Sequence, residues 1–280
     1  MKITIIGLGL IGGSLSISLR EKGFCDRVTG IDQDPANLEK AISLGLVDGT
    51  APFVEAIRGS DLIFLAIPVD ATVDLLPEVL DLVGPGQVVA DMGSVKGAIA
   101  AAADRHPNRG RFVSLHPMAG TEFSGPAAAV RDLFRDHTMV FCDSGKTDSD
   151  ALELMKGMAN LLEMRSIYLE APEHDLHAAY VSHISHITSF ALALTVLEKE
   201  KEEQRIFELA SGGFESTVRL AKSSADMWVP IFRQNKTNVL DVLQEHIRQL
   251  NRMKEVLEKD DYPQFYNLIH QSNKISKILR

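Results

Sequence analysis

Cysteine is nearly absent: the 280 residues hold two, Cys25 and Cys142, far apart in the chain. A C-x-x-C redox pair and a disulfide framework are thereby excluded, and the count fits a reducing compartment. An excess of positive charge is missing as well. Against 29 Lys and Arg stand 38 Asp and Glu, a formal net charge of −9. Nucleic acids and anionic lipid surfaces therefore find no general attraction, and an anionic substrate must be met by a few local cations. Long apolar runs are lacking: stretches such as 62–68 are far too short to cross a bilayer. Residues 1–7 read as a strand, not as a leader ahead of a cleavage site, so a cytoplasmic location is expected. No internal repeat and no low-complexity linker interrupts the chain. What is present is the balance of a globular protein, 45% apolar and 24% charged, long enough for one large domain or two ordinary ones.

Up to about residue 170, short β-rich runs alternate with helical spacing. Strands are predicted at 3–6, 28–31, 62–67, 88–91, 112–115, 138–142 and 166–169, with helices between them at 10–22, 71–82 and 150–162. Most strand candidates are continuously apolar, as expected of parallel strands covered on both faces. Repeated strand–helix–strand units of this length imply right-handed crossovers and a doubly wound sheet. From His174 to Leu279 no strand is predicted, only long helices with a break at Ser211-Gly212-Gly213. Leu240, Leu243, Ile247, Leu250 and Leu257 follow amphipathic spacing, and such faces would pack naturally against a second copy. The charge run 198–203 reads as a solvated helix end. The expected fold class is α/β: a doubly wound N-terminal domain over 1–170 and an all-helical domain over 171–280.

Gly7-Leu8-Gly9-Leu10-Ile11-Gly12 follows the first strand directly and opens the first helix. Glycines there permit a tight turn, close approach of backbone to a pyrophosphate, and close helix–strand packing, with the phosphates on the helix N-terminus. Asp32, at the end of the second strand, stands where a carboxylate accepts hydrogen bonds from an adenosine ribose. The pattern is that of a Rossmann-type dinucleotide site. An acid in that place repels a 2′-phosphate, and Gln33 and Asp34 follow it rather than an Arg, so NAD is expected over NADP.

Two further loops should project from the carboxyl edge of the sheet, where ligands of open α/β folds bind. They are 91–96, containing Ser94, and 116–122, beginning with His116 and containing Thr121 and Glu122. His116 is well placed to face a nicotinamide, with a structural histidine as the alternative; Ser94 alone reads equally as a helix cap. His174, His177, His183 and His186 invite a metal reading. At 100° per residue His177 and His183 fall about 120° apart, so four ligands do not converge, and no metal is expected. Arg219 forms either a pair with Glu215 at i,i+4 or a clamp for a substrate carboxylate, which spacing does not decide. Trp228, the single tryptophan, reads as core.

These segments together resemble the prephenate/arogenate dehydrogenases of tyrosine biosynthesis. The resemblance rests on 7–12 with Asp32, on D-M-G-S-V-K at 91–96 and on H-P-M-A-G-T-E-F-S-G at 116–125. It continues through 181–186 and through G-G-F-E-S-T-V-R-L-A-K-S-S-A-D-M-W at 212–228, nearly the whole chain in order. It implies an NAD(P)-linked oxidative decarboxylation of prephenate to 4-hydroxyphenylpyruvate and CO2, with arogenate as the alternative substrate. By that resemblance His116 takes the proton of the substrate ring hydroxyl, and Ser94 orients that histidine and the nicotinamide. Arg219 binds a substrate carboxylate, His186 lies near the substrate side chain, Glu122 controls access, and Thr121 lies beside it among the substrate-binding residues. The helical domain is implied to form a homodimer. No chorismate mutase segment and no C-terminal regulatory domain is expected. Two rivals remain: a different two-domain NAD(P) reductase acting on a hydroxy acid or an imine, and a non-catalytic NAD sensor.

Asp32 generates a direct prediction. Measured kcat/KM is expected to be higher with NAD+ than with NADP+, and Asp32→Ala is expected to narrow the gap. A wild-type preference for NADP+ would remove this role from the acid.

Overall fold

The computed structural model describes residues 1–203 and 205–278, without the side chain of Glu202. Leu279, where the helical run was expected to end, and part of the 198–203 charge run thus lie outside the described residues. Seven strands form one sheet: β1 (Lys2–Ile6), β2 (Arg27–Ile31), β3 (Leu62–Leu65), β4 (Val88–Asp91), β5 (Phe112–Pro117), β6 (Thr138–Cys142) and β7 (Arg165–Leu169). Their spatial order is β2-β1-β3-β4-β5-β6-β7. The chain reverses its direction of winding between β1 and β3, which opens a crevice at the carboxyl ends of those strands. Helices α1 (Leu10–Glu21), α2 (Pro35–Ser43), α3 (Phe53–Arg58), α4 (Val69–Leu82), α5 (Gly97–Ala103) and α6 (Ser149–Leu161) lie between the strands.

Alternation along the strands divides the core in two. Ile3, Ile5, Phe64 and Ala90 face α1 and α6 through Leu15, Leu19 and Met155. Ile6, Ile63, Leu65 and Val89 face α4 and α5 through Leu76, Val79 and Ile99. Every one of these strands is covered on both faces, which is why the sequence shows continuous apolar runs. Cys25 and Cys142 are both unpaired and buried, and burial pushes the Cys142 thiol up to about 12, so neither is a reactive thiol.

The sheet is not wholly parallel, as the doubly wound expectation implied. β6 pairs antiparallel to β5, with His116 opposite Val140, and β7 then runs parallel to β6. A parallel return needs a helical crossover. The segment between β5 and β6 contains only the 3-10 turn Pro126–Ala128, so the chain comes back reversed.

After β7 no strand follows among the described residues. Helices α7 (Ala171–Ala178) and α8 (Ile184–Glu203) are joined by a π-helical turn at Ala179–His183. Next come α9 (Gly212–Val218), whose N-cap is Ser211 at the expected break, and α10 (Ala225–Gln234). α11 (Lys236–Glu258) and α12 (Tyr262–Ser272) follow. Contacts divide the chain into two compact units, 1–235 and 236–280. In the first, Trp228 and Ile231 of α10 join the core layer under α4 and α5. In the second, Leu240, Ile247, Leu250 and Leu257 of α11 are exposed.

The continuous helical run Ala171–Lys201 is long and apolar enough, by length and composition, to cross a membrane. Its polar residues argue otherwise, because His174, Asp175 and His183 are buried and hydrogen-bonded inside the first unit.

Candidate active site

Three loops meet the carboxyl edge of the sheet. The first, between β1 and α1, turns at Gly7 with φ +93°, a conformation in which any side chain would strike the Ala66 carbonyl. Gly9 caps α1 without a side-chain hydrogen bond, and a Cβ there would meet nothing within 4 Å. Open space therefore lies beside Gly9 at the start of α1, and Gly12 lets the helix start close to Gly7. Asp32 is tied to this loop: its Oδ2 accepts from Leu8 N at 2.9 Å, while Oδ1 accepts from Asp34 N at 3.0 Å. Asp34 itself caps α2 through Ala36 N.

The second loop leaves β4 at Asp91. Asp91 and Lys96 are fully buried and ion-paired, and Asp91 also accepts from Gly93 N at 2.9 Å and Leu115 N at 3.3 Å. The Lys96 ammonium donates in addition to the Leu115 carbonyl, one residue before His116. This pair locks the loop carrying Ser94 to the end of β5. Ser94 is half-buried and, among the described residues, makes no hydrogen bond to His116.

The third loop begins at His116, which is buried at the end of β5. Its Nδ1 lies 2.7 Å from Nε2 of His174, and Nδ1 of His174 lies 2.8 Å from Oδ1 of Asp175. Asp175 in turn accepts from the backbone N–H groups of Lys96 at 2.7 Å and Gly97 at 2.8 Å. The sequence reading did not foresee this role for His174, Asp175 or Lys96. A buried His-Asp pair at the start of a helix is the signal that could have drawn attention to it.

His183 is buried beside this chain; Asn235 donates to its Nδ1 at 3.2 Å and to the Asp175 carbonyl at 2.7 Å. In a regular helix His174 and His183 would sit about 180° apart. The intervening π turn, with i→i+5 bonding, winds less per residue and brings both to the buried side, while His177 is exposed. His186 donates from Nδ1 to the Ser182 carbonyl at 3.1 Å and stacks on Trp228 with ring centroids 3.5 Å apart. Trp228 is core, as expected, and also the platform for a site histidine. Arg219 lies in the 3-10 turn Arg219–Lys222 and pairs with Glu122 at 2.9 Å, not with Glu215. Thr121 beside it accepts from Phe123 N at 3.3 Å.

Electrostatics sharpen these positions. Burial, then His174, Lys96 and His183, push His116 well below the ordinary histidine range. Burial takes His183 to about 4, and burial together with Arg219 lowers His186. A hydrogen bond from its own backbone, then the Arg219 pair, holds the Glu122 carboxyl below its usual range against the opposing effect of burial. At neutral pH the arrangement presents an uncharged, desolvated imidazole, a carboxylate–guanidinium pair that another carboxylate could exchange into, and an open helix N-terminus. That set can accept a proton, hold an anionic substrate and bind a pyrophosphate.

Two family profiles match the chain: "Prephenate dehydrogenase, nucleotide-binding domain" over residues 15–168 and "Prephenate dehydrogenase, dimerization domain" over residues 170–271. A prephenate dehydrogenase of Bacillus subtilis is 32% identical across 93% of this chain and 72% of its own length. The structure of an Aquifex aeolicus prephenate dehydrogenase, in complex with hydroxyphenyl propionate and NAD+, superposes with a TM-score of 0.85 at 29% identity, covering 99% of this chain and 97% of that one. A Synechocystis arogenate dehydrogenase superposes at 0.79 and 26% identity, with 100% of each chain covered.

The three depressed histidines make stability depend on pH. Below about pH 6.5 the unfolded chain binds protons that the folded rings refuse, so stability is full above that point and falls as pH drops. His183, at about 4, accounts alone for about 2 kcal/mol of loss by about pH 5. Urea unfolding at about pH 7.5 and about pH 5 is expected to show the lower midpoint at the acidic value. Equal midpoints would contradict the desolvation of these rings.

Proposed function

The chain belongs to the prephenate dehydrogenase family, and on that premise we propose how its residues divide the work. The protein is an NAD-dependent oxidoreductase that converts prephenate to 4-hydroxyphenylpyruvate and CO2. The residues at the β1–α1 turn fit the cofactor, because the space over Gly9 is open and the first N–H groups of α1 lack side-chain caps. The loop from Gly7 to Gly12 holds the pyrophosphate, and Asp32, whose Oδ2 has a single donor and retains a lone pair, accepts from the adenosine ribose. When bound, NAD+ supplies the hydride acceptor.

The observation that carries the assignment of roles is His116, buried at the same sheet edge and kept neutral. Its Nε2 receives the proton of the substrate ring hydroxyl, so that the ring carbon can be oxidised; loss of CO2 then makes the ring aromatic. Ser94, half-buried on the loop locked by Lys96, orients the nicotinamide rather than the imidazole, whose Nδ1 is taken by His174. Arg219 exchanges Glu122 for a substrate carboxylate, so Glu122 guards the entrance and Thr121 shapes the loop that carries it. His186, held flat on Trp228, lines the side-chain end. Arogenate is the second reading, favoured by the likeness to the Synechocystis enzyme; it differs only in carrying an amino group where prephenate has a keto group.

The functional form is a homodimer built by the helices beyond residue 170. Apolar side chains stand exposed in each unit: Val181, Leu194 and Leu197 in the first, Leu240, Ile247 and Leu250 in the second. A cytoplasmic location accords with the buried polar groups of the Ala171–Lys201 run. Sedimentation is expected to give a species of twice 30.7 kDa; a 30.7 kDa species alone would overturn the dimer.

The decisive assay mixes the pure protein with NAD+ and prephenate, or with arogenate, and follows the NADH absorbance band. No NADH with either substrate would overturn the proposed roles. His116→Asn is expected to lower kcat by about 10²–10⁴ with modest change in KM, and to remove the acidic limb of the pH–rate profile. In the wild type that limb should lie well below pH 6.5, because the neutral form is the active one. Arg219→Ala should chiefly raise KM, with Lys222 retaining part of the binding. Near-normal kcat in His116→Asn, with abolition in Arg219→Ala, would reverse the assignment.

A further inference from the structure

We propose that Asp175 and His174 are positioning residues that fix the tautomer of His116, leaving its Nε2 bare toward the substrate. The inference deepens the reading of His116 as proton acceptor and rests on it. It starts from the carboxylate. The two oxygens of Asp175 accept from Lys96 N and Gly97 N, and an ionised carboxylate has no proton to donate. Toward His174, Oδ1 is therefore an acceptor, and Nδ1 of His174 carries the hydrogen across their 2.8 Å contact.

A neutral imidazole protonated on Nδ1 has its lone pair on Nε2. That Nε2 lies 2.7 Å from Nδ1 of His116, and two lone pairs cannot face each other at that distance. His116 must then be the donor, with its hydrogen on Nδ1. The remaining nitrogen, Nε2, makes no hydrogen bond among the described residues and is left as the base.

The same chain stabilises the product of proton transfer. When the substrate O–H bond breaks and Nε2–H forms, His116 becomes an imidazolium two hydrogen bonds from the Asp175 carboxylate. The other groups acting on His116 are unfavourable to that cation: Lys96 from the β4–α5 loop, and the His174 and His183 rings from the helical segment. Asp91 offsets the Lys96 charge through their ion pair. Asp175 is thus the anion linked by hydrogen bonds to the reacting ring, and its own place is set by the first backbone amides of α5 rather than by a flexible side chain.

The direct test is histidine 15N NMR of the full chain near neutral pH, with the His116 signals assigned by their loss in His116→Asn. Expected is a protonated, pyrrole-type Nδ1 and a bare, pyridine-type Nε2 on His116. The reverse pattern would overturn the proposal. The kinetic test compares His174→Leu with His174→Gln, whose side-chain carbonyl can still accept from Nδ1 of His116. His174→Leu should lower kcat about 10²-fold with KM little changed, and His174→Gln should recover most of that loss. Two folded variants equally impaired would mean that His174 acts by packing alone. The nitrogen assignment is read without turnover, so a protein inactive on both substrates would overturn the catalytic reading and leave the tautomer test standing.

Discussion

One carboxylate, Asp175, holds the site together. It lies at the start of the helical segment, yet its oxygens are bonded to the backbone N–H groups that open α5, a helix of the sheet layer. Through His174 it also reaches the end of β5. Three elements distant in sequence are thereby joined at one buried point: the β4–α5 loop, β5 and α7. A buried charge is tolerated only when its acceptor capacity is filled. Here the donors are two amides and an imidazole, and loss of any one leaves a desolvated group without its partner.

A buried ion pair works in parallel with this carboxylate. Lys96 neutralises Asp91 and binds the carbonyl next to His116, so the loop is fixed from both ends. The result is a network of satisfied polar groups around the His116 imidazole. Outside that network the chemistry is exposed and exchangeable. Arg219 and Glu122 meet at the surface, where a pair is worth little and a better ligand can displace one partner. The contrast suits a protein of net charge −9, because attraction for an anion has to be local and cannot be distributed.

The parts legible in the sequence were those set by local rules. All seven strands lie where apolar runs mark them, and the glycine turn with Asp32 shows its spacing directly. The loop after β5 was equally visible, since His116-Pro117 closes a strand. The missing parts depend on contacts between remote segments. The reversal of β6 follows from the lack of a helix before it, yet each strand alone looks the same in either direction. Arg219 could be assigned to neither Glu215 nor a ligand, because its partner, Glu122, lies in a loop far away in sequence. That His174 and His183 share the buried side was hidden for a more specific reason. Counting 100° per residue assumes a uniform helix, and Ala179–His183 is not one.

That non-uniform turn has a mechanical meaning. It lies downstream of His174 and upstream of the face bearing Leu194 and Leu197, so it sets the angular phase of everything after it. The turn takes up one residue more than a uniform helix would need, which is how His174 and His183 come to share the buried side. The direction in which Leu194 and Leu197 face is therefore set by the same turn that places His183 on the buried side.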